Sequence, residues 1–149
     1  MYEVQSLMFK KGNNIVNLDK AKDYPGFEIK ASENINIESV VSNPFFHNFN
    51  ILGISKKFKN FRNNKDLKDI GKPIRIKTEV RADLKENQFI IFVPNKKFAE
   101  NQRLFNINSV YGPSDLIEPL FVNFGLKDVK INKGDLVGTI LIQKVNDNE

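Results

Sequence analysis

The chain has no cysteine, no tryptophan, a single histidine and no apolar run of membrane-spanning length. The missing cysteines exclude disulfides, thiolate catalysis and zinc sites built on sulfur. A lone histidine, His47, excludes a two-histidine metal centre and a cysteine–histidine relay. Beside Phe45, Phe46 and Phe49 it reads as a packing or surface residue rather than a ligand. No metal site and no cofactor are expected. The opening MYEVQSLMFKKGNN lacks an apolar stretch followed by a small-residue cleavage site. The expectation is a soluble protein with no membrane partner, cytoplasmic, or in a virion or host cytoplasm if viral.

What is present suits one domain spanning 1–149. At 17.2 kDa the chain can bury most of the surface its unfolded form exposes. Thirteen phenylalanines among otherwise aliphatic apolar residues predict a core dominated by ring packing. A net charge of +5 permits an acidic partner without demanding one.

Apolar runs are short, rich in Ile, Val and Phe, and interrupted at brief intervals by Asn, Lys, Asp and Gly, the rhythm of an all-β domain with little helix. Strands are expected at Val4 to Phe9, Phe27 to Lys30, Ile35 to Ile37, Ile74 to Val80, Gln88 to Val93, Phe105 to Ile107, Leu120 to Asn123, Val129 to Ile131 and Leu136 to Lys144. In IRIKTEV, Ile74 to Val80, apolar and polar residues alternate, so one face is buried and Arg75, Lys77 and Glu79 meet solvent. Phe89 to Val93 is apolar throughout, which predicts a central strand covered on both faces. Gly134-Asp135 between two apolar strands is a turn signal that needs no ligand to explain it.

One segment breaks the rhythm. From Val41 to Lys72 five phenylalanines are mixed with cations and asparagines without a clear period, the sign of a long excursion inserted at about 41–72. Phe45, Phe46, Phe49, Lys56, Lys57, Phe58, Lys59, Phe61 and Arg62 are its candidate partner-binding residues. Cations interleaved with rings suit nucleic acid; the same rings suit contact with a protein, the lysines then serving solubility. Protein contact is favoured, because the charge is modest and Asp66 and Asp69 interrupt it.

Several stretches in order resemble the motifs of the deoxyuridine triphosphatase (dUTPase) and dCTP deaminase superfamily. Pro25-Gly26-Phe27-Glu28-Ile29-Lys30-Ala31-Ser32 resembles the first motif, Ala-Gly-Tyr-Asp-Leu followed by Ser or Ala. Lys77-Thr78-Glu79-Val80 resembles a Lys-Thr-Gly-Ile strand start, and Asn87 to Pro94 the strand leading to the second motif. Asn123-Phe124-Gly125, then Val129-Lys130-Ile131-Asn132-Lys133-Gly134-Asp135, is similar to the region of the fourth. The resemblance implies a distorted antiparallel β-barrel or jelly roll of the β-clip type, assembled as a homotrimer.

The catalytic motifs match less well. Pro94-Asn95-Lys96-Lys97-Phe98-Ala99 stands where the family has Pro-Arg-Ser-Gly for the phosphates. Aligned back from Asn123, Val110 falls where the third motif has its water-activating aspartate, and Asp115 fits only with a deletion. Leu136-Val137-Gly138-Thr139 replaces Arg-Ile-Ala-Gln after Gly134-Asp135, and Asn146-Asp147-Asn148-Glu149 ends the chain without a Gly/Ser-rich fifth motif. Hydrolysis of a nucleoside triphosphate rests on positioning and neutralising phosphates. The expectation is therefore a non-enzymatic pseudoenzyme that keeps the scaffold, with Glu28, Lys96, Lys97 and Asp115 as relics of a nucleotide pocket. Each has a plainer reading: Glu28 as a solvated strand-edge residue, Lys96 and Lys97 as turn surface.

The concrete expectation is a structural or assembly protein. A Lys-, Asn-, Ile- and Phe-rich composition suggests an AT-rich genome, and viral and phage genomes of that kind often carry family members. A capsid-associated or head-decorating trimer that contacts other structural proteins fits this. The alternatives are a nucleotide-binding protein or triphosphate hydrolase with a rebuilt site, using Asp115 with Lys96 and Lys97, and a nucleic-acid-binding regulator.

Overall fold

The computed structural model describes residues 8–23, 25–43 and 70–146. In chain order the elements are β1 (Met8–Lys11), β2 (Asn14–Val16), β3 (Phe27–Lys30), β4 (Ile35–Ile37) and a 3₁₀ turn (Val40–Ser42). They continue with β5 (Ile74–Arg75), β6 (Val80–Asp83), β7 (Gln88–Pro94), helix α1 (Lys96–Gln102), β8 (Leu104–Asn106) and β9 (Val110–Tyr111). The last three are β10 (Leu120–Asn123), β11 (Val129–Ile131) and β12 (Leu136–Lys144). The strands form four small sheets, ordered β2-β1-β6, β5-β10-β8, β11-β4 and β3-β12-β7-β9. Every ladder between these strands is antiparallel, as the all-β, jelly-roll expectation requires.

The largest sheet is organised by β12. Its LVGTILIQK pairs with β3 along one edge and with β7 from Gly138 opposite Pro94 to Lys144 opposite Gln88 along the other. β-Branched Val, Thr and Ile in that run suit a pleated, half-buried surface. Strand β7 is central, as expected, between β12 and β9. Its residues alternate, however: Ile90 and Phe92 are fully buried while Phe89, Ile91 and Val93 are half-buried. A pleated strand can give only one face to this core, whatever its composition.

The core is built on rings, as the composition predicts. Phe121 meets Phe92 and Phe98 edge-on, with centroids 6.3 and 5.5 Å apart, and Phe9 meets Phe27 at 4.8 Å. Ile29, Ile37, Ile76, Ile90, Ile117 and Ile140 fill the same cluster. Each such buried side chain contributes about 1.5–3 kcal/mol of hydrophobic stabilisation.

Other sequence expectations change as well. The strand expected at Val4 to Phe9 is described from Met8 and runs on to Lys11, residues 4–7 lying outside the described residues. Ile74 to Val80 is not one strand: β5 ends at Arg75, β6 begins at Val80, and they belong to different sheets. The alternation itself is real, since Ile76, Thr78 and Val80 are buried and Lys77 and Glu79 exposed. Its hydrogen bonds go to scattered partners, with Ile76 N donating to Pro119 O at 2.9 Å and Lys77 O accepting from Ser32 N at 2.9 Å. Glu79 then takes a left-handed φ of 63° and turns the chain into the second sheet. The segment after β7, expected as a turn, is α1. Asn95 caps it by accepting from Lys97 N at 3.2 Å, and Arg103 ends it with φ at 55°.

The Gly134-Asp135 turn is as read. Asp135 N donates to Asn132 O at 3.0 Å, the Asp135 carboxylate accepts from Asn132 N at 2.8 Å, and Gly134 supplies a φ of 91°. The expected excursion has Asn43 and Ile70 at its two flanks, and both line one cavity of about 550 Å3. Its candidate residues Phe45, Phe46, Phe49, Lys56, Lys57, Phe58, Lys59, Phe61 and Arg62 lie outside the described residues. Among the described residues, no helix is long and apolar enough to cross a membrane.

Candidate functional site

Three of the motif-like segments meet at one end of the largest sheet. Glu28 on β3 stands opposite Thr139 on β12, which stands opposite Val93 on β7. One residue earlier on β12, Gly138 lies between Ile29 and Pro94. The strands close tightly there, since a Cβ on Gly138 would come within 2.4 Å of Val93 O and 2.6 Å of the Phe92 ring. Asn95 ties the corner, its N–H donating to Val137 O at 2.9 Å and its side-chain amide to Leu136 O at 3.2 Å. Across β12, Ala31 N donates to Asp135 O at 3.0 Å and accepts in return, through its carbonyl, from Gly134 N at 2.8 Å.

The charged candidates sit around this corner. Lys96 and Lys97 are exposed at the start of α1. Glu28 is half-buried and lines a cavity of about 290 Å3 together with Lys11, Asp19 and Lys30. Lys30 and Asp19 form an ion pair at 3.1 Å whose partners are both well exposed, so it adds little stability. Two strand spacings put β3 and β7 roughly 10 Å apart, a span that a bound polyphosphate can bridge.

Asp115 is elsewhere. Its carboxylate accepts from Gly112 N at 2.7 Å in the turn after β9, and it lines an open cavity of about 480 Å3 with Arg75, Arg81, Asn108, Tyr111 and Glu118. Strand β9 pairs with Ile90 and Ile91, six and five residues before α1 begins at Lys96, a displacement of roughly 15–20 Å along the chain. Within one chain Asp115 therefore does not join Lys96 and Lys97. In its own pocket the charges nearly balance: Arg75 pairs with Glu118 at 3.6 Å. Burial pushes the Tyr111 hydroxyl up to about 12, against the opposing effect of a 3.0 Å hydrogen bond that it accepts from Asn108.

A polar cluster that sequence reading passed over joins the β10–β11 loop to the root of the excursion. Asn123 is buried; its amide donates to Ile37 O at 3.0 Å and Lys127 O at 2.9 Å, and its oxygen accepts from Gly125 N at 2.8 Å. Ser39, also buried, bridges in parallel to Asn123 and donates its hydroxyl to Gly125 O. The Asp128 carboxylate accepts from Ser39 N at 2.8 Å and the Ser42 hydroxyl at 2.7 Å, which holds its pKa below the usual carboxylate value. Asn-Phe-Gly carried the signal of a turn; the 86-residue separation between Ser39 and Gly125 hid the rest.

No group of three or more His, Asp or Glu side chains gathers as a metal site among the described residues.

This fold is that of the dUTPases. No family model and no curated protein matches the chain. Among solved structures, the native EIAV dUTPase covers 96% of this chain and 92% of its own, at 14% identity and a TM-score of 0.61. The D95N dUTPase of Staphylococcus aureus phage phi11, described with a structural Mg(II) ion, covers 97% and 94% at 11% identity and 0.64. The dUTPase of Staphylococcus bacteriophage 80alpha, as a G164S mutant with dUpNHpp, covers 97% and 86% at 12% identity and 0.64.

These matches overturn the expectation that the chain is no enzyme: over 96–97% of its length it shares its fold with dUTPases. That expectation rested on motif residues aligned one by one. At 11–14% identity a shift of one or two positions changes which side chain is counted as missing. It also ignored groups that reach a site from other positions of the fold.

Proposed function

We propose that this chain is a nucleotide-binding protein of the dUTPase type that hydrolyses a nucleoside triphosphate with a rebuilt site. The observation that carries the reading is the match to dUTPases over 96–98% of the chain. The convergence of β3, β12 and the β7–α1 corner supports it. Lys96 and Lys97 would neutralise phosphates as point charges; Glu28, on the neighbouring edge, would order a phosphate-bound cation or water. The family resemblance supports a homotrimer. In a trimer Asp115 of one subunit can face the lysines of the next, the arrangement it needs to act as base.

Release of pyrophosphate or phosphate from dUTP, dCTP and the other common triphosphates with Mg²⁺, together with calorimetry, tests this. The expected result is turnover of at least one, with Lys96→Glu/Lys97→Glu weakening binding by roughly tenfold or about 1.4 kcal/mol. Neither binding nor turnover at millimolar nucleotide would end the reading.

A second reading is favoured by the phage origin of several matched dUTPases and by the Lys-, Asn-, Ile- and Phe-rich composition. The same trimer would serve in a larger protein assembly such as a virion. Co-purification with particles from the source would support it.

A further inference from the structure

On another part of the fold, the C-terminal end of α1 and the β10–β11 loop enclose a shallow cavity of about 430 Å3. Arg103, Lys127 and Lys130 line it, all exposed, and none enters the ion pairs formed among the described residues. The one acidic residue in its wall, Asp128, gives its carboxylate to Ser39 and Ser42. Positive charge is left in excess at the mouth.

The same place is unusually apolar for a surface. Leu126 lines the cavity and is 82% exposed; the adjoining Phe124 and Phe105 are 57% and 42% exposed, their rings 5.8 Å apart. The backbone beneath is fixed. Arg103 O accepts from Phe124 N at 3.0 Å, and Gly125 packs so closely that a Cβ would come within 2.9 Å of Gln102 O. A preorganised concave site with an apolar wall and a cationic rim is what a docked protein segment needs.

We infer that this cavity docks an acidic segment of a partner protein, with an aliphatic or aromatic side chain seated against Leu126 and Phe124 and carboxylates against Arg103, Lys127 and Lys130. Charge complementarity sets the sign of the partner. Nucleic acid fits less well: although Phe124 and Phe105 expose ring faces, three cations round one hollow do not make a groove that follows a backbone. The inference is independent of any hydrolytic activity.

A random displayed-peptide library, selected on the whole protein and counter-selected on Arg103→Glu/Lys130→Glu, is the test, with circular dichroism to show that the variant is folded. Enriched peptides should combine Asp or Glu with Leu, Phe, Ile or Met. As labelled peptides in fluorescence anisotropy they should lose roughly tenfold in affinity on raising salt well above physiological levels and on Leu126→Asp. Lys10→Glu, on a different sheet, should leave binding unchanged. Enrichment of basic or uncharged peptides, or of none that distinguish the variant, would overturn the proposal. So would tighter binding of oligothymidylate than of any peptide, or a fall in molar mass on Leu126→Asp, which would make the patch a self-association surface.

Discussion

Asn123 shows how much one side chain can hold. It satisfies two carbonyls and one N–H inside the protein, so Asn123→Ala takes the partner from one buried group, Ile37 O, and from two part-buried ones, Lys127 O and Gly125 N. The expected loss is about 2–4 kcal/mol, read from denaturant midpoints. Asp128 acts beside it and carries the pH dependence. Its folded pKa is depressed, so its contribution is complete above the ordinary carboxylate value and fades as pH falls through the folded one. Asp128→Ala should therefore cost most above the ordinary carboxylate range, with the gap to the parent closing as pH falls below that range. Tyr111 has the opposite sense. Its hydroxyl is pushed up to about 12, so the stability gained by keeping it neutral is intact below about pH 10 and lost as pH rises toward 12. Ultraviolet titration should resolve a phenol ionising at about pH 12 that Tyr111→Phe removes; no such late ionisation would contradict the buried placement.

Strands that alternate or run on β-branched residues were legible in the sequence, and β3, β4, β10, β11 and β12 lie where they were expected. The elements that were missed depend on single residues with unusual local roles. Glu79 at positive φ splits one alternating run between two sheets, and Asn95, by capping, turns a supposed loop into α1. Propensity averaged over a window does not register either. The candidate corner was partly legible: the order of the motif-like segments brought Glu28, Lys96 and Lys97 near one sheet end. Asp115 was placed with them by an alignment to the third motif that needs a deletion, and the pairing of β9 with Ile90 and Ile91 moves it away within one chain. At this scale glycine substitutions separate packing from conformation. Gly138→Ala drives a methyl into Val93 O and the Phe92 ring and should abolish soluble protein or lower Tm severely. Gly134→Ala meets nothing within 4 Å and should cost only about 1 kcal/mol, the strain of its φ of 91°.

For the molecule as a whole, the trimer proposal predicts a light-scattering mass three times the 17.2 kDa of the chain. A monomer at micromolar concentration would remove the route by which Asp115 reaches the lysines, while leaving the fold untouched. The root of the excursion has a further consequence. Asn43 and Ile70 open onto one cavity, and the Asn123–Ser39–Asp128 hydrogen bonds brace the outgoing side. With both flanks on one cavity, residues 44–69 should be exchangeable for a short Gly-Ser linker, or for an unrelated segment, with the thermal transition of the sheets preserved; a lost transition would contradict this. The barrel would then be a carrier, and what it presents a matter of which cargo is spliced in.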